Sequence, residues 1–203
     1  AWDINIGENF LAEAIKDSSQ HSQNIEACQE IERLSRMIEA RRHRIHVAIV
    51  GAKPKDHVSA DGLVKIRDIR VDELAALMKW TPEWARRQVN ISRVLVVRLP
   101  DILNRLETGE ISAYNAVIIA EGLQDLFTKT REDIHNASAG VELADRYTSI
   151  VGQRAGQKSA SEMKRAVRKA VVSLAPLPAD ELHELACLNR RVDMSLAPDG
   201  MCW

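Results

Sequence analysis

VDELAALMKWTPEWARRQVNISRVLVVRLPDILNRLETGEISAYNAVIIAEG, residues Val71 to Gly122, is the stretch whose reading decides the fold. A short helical pattern with Leu74, Ala75 and Leu77 on its apolar face runs up to Thr81-Pro82. Thr81 can cap a new helix, and Pro82 suits its first position because the N–H that proline lacks would have had no partner there. In that second helix the spacing predicts that Trp84, Ala85 and Val89 are buried, while Arg86, Arg87, Gln88, Asn90 and Arg93 point elsewhere. The latter are residue types that reach phosphates and base edges. Helix, tight break and basic helix together read as a helix-turn-helix. Leu99-Pro100-Asp101 then opens a further helix that Gly109 stops, and Ile111-Ser112 caps the next, which carries Ala116, Val117, Ile119 and Ala120. Connections this short mark a small helical domain.

Composition limits what can surround that block. A chain of 203 residues that is 45% hydrophobic can bury a sizeable core as one domain or two small ones. A net charge of −1 means that there is no global basic field, so any nucleic-acid surface has to be local. Aromatic residues make up only 4%, which argues against a sheet that binds single strands by base stacking. Cys28, Cys187 and Cys202 are odd in number and far apart, so they form neither a disulfide framework nor a Cys-x-x-Cys knuckle, and a reducing cytosol suits them. No apolar run approaches the roughly 20 residues that span a bilayer. The missing initiator Met and the ending Met201-Cys202-Trp203 read as a processed or truncated chain.

Outward from the central block, residues 1–51 form an N-terminal region. It holds a short helix from about Asn9 to Lys16, a loop at Ser18-Ser19-Gln20, and a long amphipathic helix from Gln23 to Val50 that ends at Gly51. Its stripe is Ile25, Cys28, Ile31, Leu34 or Ser35, Ile38, Ile45 and Ala48. The cluster Arg41, Arg42, His43, Arg44 and His46 suits the negative end of a helix dipole without any ligand. Residues 63–122 are the helix-turn-helix core, and its opening LVKIRDIR reads as helix because no partner strand is visible. In the C-terminal helical region, 123–190, the pattern continues from Leu126 through Ile134 and Ala137 to Ile150, with Gly140 a break. Ser161 can cap the basic helix SEMKRAVRKAVVSL, Pro176 and Pro178 close it, and an acidic helix from Ala179 to Arg190 follows. Residues 191–203 alternate as the start of a β segment. The fold class is therefore all-α: a multi-helix bundle with a helix-turn-helix, a long N-terminal helix and a short C-terminal β segment.

The order ELAALMKWTPEWARRQVNISRVLVVRLPDILNRLETGEIS resembles the actinobacterial 13E12 repeat family, also called domain of unknown function 222. The resemblance extends from the long Arg-rich helix to KRAVRKAV and RVDMSLAPDGM, most of the chain. The same block is similar to the helix-turn-helix core of ParB-type centromere-binding proteins, with Leu99-Pro100, Gly109, Ile111, Ser112 and Ala116 in the matching places. These resemblances imply a DNA-binding module, often joined in the 13E12 family to a C-terminal HNH nuclease domain. The nuclease motif is absent here: His135-Asn136 has no second His or Asp-His pair around it, and the nucleotide-binding motif of the ParB group is missing too.

Charge agrees with the resemblance. Five basic residues stand against one Glu from Lys79 to Arg98, and five against one again from Lys158 to Lys169. By the geometry of the motif, Glu83, Arg86, Arg87 and Asn90 read bases, while Lys79, Thr81 and Arg93 hold phosphates. Lys164, Arg165 and Arg168 form a second phosphate-contacting row. Trp80 and Trp84 read as core. His43, His46 and the pair His183 and Cys187 read as ordinary exposed helix positions rather than metal ligands. No catalytic residue, metal or cofactor site is identified. The expected partner is double-stranded DNA, with a possible homodimer through the long helix, no membrane, and a cytoplasmic, nucleoid-associated location. The rival class is a helical interaction or dimerisation scaffold that does not bind DNA.

Overall fold

Seven α-helices account for most of the described chain: α1 (Ile4–Val50), α2 (Ile69–Met78), α3 (Pro82–Val97), α4 (Pro100–Glu107), α5 (Ala113–Thr130), α6 (Val141–Gly152) and α7 (Ala160–Leu174). The computed structural model describes residues 4–55, 57–58, 65–66, 68–131, 133–134, 140–153, 155–175 and 187. The all-α class holds. Of the expected C-terminal elements, the acidic helix, apart from a helical Cys187, and the β segment at 191–203 lie outside the described residues, as does His135-Asn136.

Local chemistry sets most of the boundaries. The Thr81 side chain accepts from the Trp84 N–H at 3.3 Å, and Pro82 takes the first position of α3. Pro100 likewise opens α4, Gly109 leaves it at φ 81°, and the Ser112 hydroxyl accepts from the Asn115 N–H at 3.2 Å to start α5. Gly51 ends α1 at φ 82°. Other expectations need correcting. α1 is one unbroken helix, so Ser18, Ser19 and Gln20 are helical rather than a loop. Lys65–Ile66, read as helix, is instead a two-residue strand (β2) paired antiparallel with His57–Val58 (β1). α5 stops at Thr130, with Arg131 left-handed at φ 57°, and does not run on toward Ala137. α7 is capped by Ser159, not Ser161: Ser159 and Glu162 form a reciprocal capping box.

Two cores hold the helices. The larger gathers Ile91, Val94 and Leu95 of α3, Ile102 and Leu106 of α4, Ile119, Leu123 and Phe127 of α5, Tyr147 of α6, and Met163 and Val171 of α7. The smaller lies inside the helix-turn-helix and joins Val50 to Val71, Leu74, Ala75, Ala85 and Val89, with Trp80 against it. α3 therefore faces a different neighbour on nearly every side. Gln88 and Arg93, expected to point away from the core, are buried with its apolar residues, as is Ser92. Leu77 and Trp84, expected inside, are exposed. The stripe on α1 is also turned round: Ala40, His43, His46 and Val50 face the body, while Ile31, Leu34, Ile38 and Ile45 face solvent.

Gly122 is where α5, α6 and α7 come closest. A Cβ there would lie 2.2 Å from Val167 Cγ1 and 2.4 Å from the Tyr147 hydroxyl, which donates to the Ile119 carbonyl at 2.8 Å. Gly122→Ala is expected to destabilise the protein by about 1–3 kcal/mol despite its gain in helix propensity, because overpacking outweighs that gain. Urea unfolding of the variant against the wild type measures the difference.

Candidate nucleic-acid interface

The accessible part of α3 is its N-terminal half. Glu83, Trp84 and Arg87 are exposed, Arg86 and Asn90 are half-buried, and Lys79 projects from the turn in a left-handed conformation at φ 55°. Thr81 spends its oxygen on the cap but retains its hydroxyl proton. Arg86 donates to Asp72 of α2 at 3.3 Å. Arg87 donates twice to Glu121 of α5, at 2.9 and 2.5 Å, and its guanidinium lies 5.5 Å from the centre of the Trp84 ring.

Glu121 is what joins the two basic clusters. It lines a groove of about 290 Å³ between α5 and α7, with Asp125, Lys129, Lys164 and Arg168 around it. Lys164, Arg165 and Arg168 are all exposed, and Lys164 Nζ sits 5.4 Å from the centre of the exposed Tyr114 ring. Residues that sequence spacing could not connect are thus linked: Arg87 on α3 pairs with Glu121 of α5, and Glu121 lines the same groove as Lys164 and Arg168 on α7. The surface is mixed rather than purely basic, since Glu121 and Asp125 lie between its cations. Two aromatic members were missed. The three-residue separation of Trp84 and Arg87 was the available signal for one; Tyr114 and Lys164 are brought together only by the fold.

Arg93 does not belong to this surface. It is 3% exposed, and its Nε donates to the Gly51 carbonyl at 2.9 Å while Nη2 reaches Val50 O at 3.4 Å and Asp68 Oδ2 at 3.2 Å. Burial alone would raise the Asp68 carboxyl. Hydrogen bonds from the Arg70 side chain and the Lys55 and Arg70 N–H groups, with the Arg70 charge, outweigh it and hold that carboxyl below its usual range. The phosphate-holding role expected for Arg93 is excluded by this enclosure.

His43 and His46, expected at an exposed face, are also buried. Their Nδ1 atoms lie 2.9 and 3.1 Å from Ser92 Oγ, and that hydroxyl donates its single proton to the Gln88 carbonyl at 2.8 Å. Its two lone pairs are then left to accept, which makes both imidazoles donors at Nδ1. Trp80 meets the edge of His46 at a centroid distance of 5.7 Å. Burial first, then the charges of Arg42 and His46, push the His43 imidazolium down to about 4. Burial and Arg42 lower His46 as well.

Among the described residues, no three metal-ligating side chains come together, and no helix is long and apolar enough to cross a membrane. Compared with family models, curated proteins and solved structures, the chain matches none.

Two outcomes follow from the buried polar groups. Arg93→Ala takes one partner from Asp68, which keeps Arg70, and the side-chain donor from two backbone carbonyls, and is expected to cost about 1–3 kcal/mol in urea unfolding. The buried histidines oppose acid. Between pH 6.5 and about 4 the unfolded chain binds a proton at His43 that the folded chain does not. Stability is thus full above pH 6.5 and falls by up to about 3 kcal/mol as the pH drops toward 4. His43→Gln, which keeps a donor but cannot titrate, should flatten this limb in a pH series of unfolding curves.

Proposed function

We propose that this chain is a double-stranded DNA-binding module. The N-terminal half of α3 enters the major groove and the exposed cations of α7 contact the phosphate backbone. The observation that carries the reading is the capped α2–turn–α3 unit, with Glu83, Arg86, Arg87 and Asn90 accessible along one edge of the second helix. In this geometry those four read base edges, Lys79 and Thr81 hold flanking phosphates, and Lys164, Arg165 and Arg168 supply contacts independent of sequence. The ion pairs of Arg86 and Arg87 do not stand in the way. Both are at the surface, where such a pair contributes about 0–1 kcal/mol, while a bidentate Arg–guanine contact gives about 1–3 kcal/mol of discrimination. Resemblance to the 13E12 repeat family supports the same reading and a role as the recognition part of an HNH-nuclease-associated or regulatory protein. The scaffold alternative is favoured by a separate observation, the solvent-facing isoleucines of α1.

Fluorescence anisotropy of the chain with random-sequence duplex across a salt series tests the proposal. Affinity should fall steeply with salt, and Lys164→Ala/Arg168→Ala should reduce the slope of log K against log salt by about 2. Arg87→Ala should cost about 1–3 kcal/mol on a selected sequence and relax the preference there. Glu121→Gln, which releases Arg87 and removes a negative charge from the face, should tighten binding. Absence of binding at about 50 mM salt would overturn the assignment in favour of the scaffold.

A further inference from the structure

α1 is far longer than the body that supports it. At about 1.5 Å per residue its 47 residues extend roughly 70 Å. Residues 20–35 are all exposed. Contact with the body begins around Arg33, whose side chain lies against Gly109, and Arg36, which donates to the Gly109 carbonyl at 2.8 Å. From there Ala40, His43, His46 and Val50 face inward. On the opposite side Ile31, Ile38 and Ile45 repeat at seven-residue intervals with Leu34 between the first two, and they are 66, 60, 57 and 38% exposed. Helices of this length depend on packing for their stability, and a seven-residue apolar repeat is the seam of a coiled coil.

We infer that this seam is covered by a second copy of the chain, running antiparallel, with Ile38 of one protomer against Leu34 of the other. The pattern of residue size and charge chooses this arrangement. With the isoleucines at one seam position, the alternate position holds Ala27, Leu34, Arg41 and Ala48. A parallel pair would set Arg41 against Arg41 and alanine against alanine, placing like charges in the seam and leaving voids. The antiparallel pair instead sets Ile45 against Ala27 and Arg41 against Ile31, filling small positions with large ones. It also brings Glu30 opposite Arg44 twice, once on each side of the two-fold axis. Arg44 holds Glu107 at 2.5 Å and Asn104 at 3.0 Å, and a guanidinium has donors to spare for a second carboxylate. The seam lies on the far side of α1 from Ala40, His43, His46 and Val50, which face the body. Each protomer's projecting segment then covers the supported part of the other helix, from about residue 22 opposite residue 50. The inference is independent of DNA binding.

Sedimentation equilibrium across about 1–100 µM protein, bracketing common dimer affinities, tests it. The wild type is expected at twice the 22.7 kDa chain mass. Ile31→Lys/Ile38→Lys, at exposed positions and with the first lysine set against Arg41, is expected at the single mass with an unchanged melting profile for the body. A wild type that stays at the single mass, or a double variant that stays at twice it, overturns the proposal. Orientation is read separately by pulsed electron resonance on spin-labelled Gln23→Cys in a chain whose Cys28, Cys187 and Cys202 are replaced by Ser. The antiparallel register puts the labels about 40 Å apart along the axis, and a distance under about 20 Å would show a parallel pair and overturn it.

Discussion

Arg93 is the point from which the arrangement of the first half of the chain is fixed. One guanidinium, buried at the middle of α3, takes up the two carbonyls at the end of α1 and the carboxylate that caps α2. Backbone carbonyls at a helix end need partners when they are buried, and a buried carboxylate needs a cation. A planar group with five donors meets both needs at once in a way that an ammonium does not. α3 is thereby tied to the incoming helix and to its own helix-turn-helix partner. The exposed edge of α3 therefore has a fixed orientation relative to the rest of the body.

Arginine plays two opposite parts in this protein, and the acceptor it meets distinguishes them. Arg93, Arg98 and Arg105 reach across to backbone carbonyls on other segments: Arg98 to Ile134 at 2.8 Å and Arg105 to Gly152 at 2.6 Å. Their removal would expose unmet acceptors. Arg86 and Arg87 share the helix of Arg93 but pair with carboxylates at the surface, where water and salt compete for both partners. Such pairs hold a side chain in place without committing it. The histidines show the same division within α1, where His43 and His46 are given over to Ser92 while Arg41, nearby in sequence, is exposed.

Helix ends were legible in the sequence because capping is local. Thr81-Pro82, Leu99-Pro100, Gly109 and Ser112 each act within a few residues, and each does what its chemistry suggests. Helix faces were less legible, because a face is defined by a neighbour that sequence spacing does not name. α3 was read as having one apolar side, yet nearly all of it from Gln88 to Leu95 is buried, Asn90 excepted, so Ser92 and Arg93 enter the interior by finding partners there. α1 shows an obvious isoleucine stripe, but its contact with the body uses Ala40 and two histidines, residues that a hydrophobic pattern passes over. The β1–β2 pair is too short to leave any alternation. At the candidate interface, Arg86, Arg87, Lys164, Arg165 and Arg168 were found from charge and motif, whereas the tie through Glu121 and the position of Tyr114 depend on the packing of α5.

The unbroken course of α1 has a consequence for chain length. Adding one residue among positions 20–35 would turn everything upstream by about 100° relative to the body while moving it only about 1.5 Å. Adding seven would restore the original facing to within about 20°. The segment therefore behaves as a ruler with angular graduations. Insertions and deletions there are felt as rotation before they are felt as distance, and only lengths near a whole number of turns, such as about 7, 11 or 18 residues, leave the molecule's outline with nearly the same azimuth.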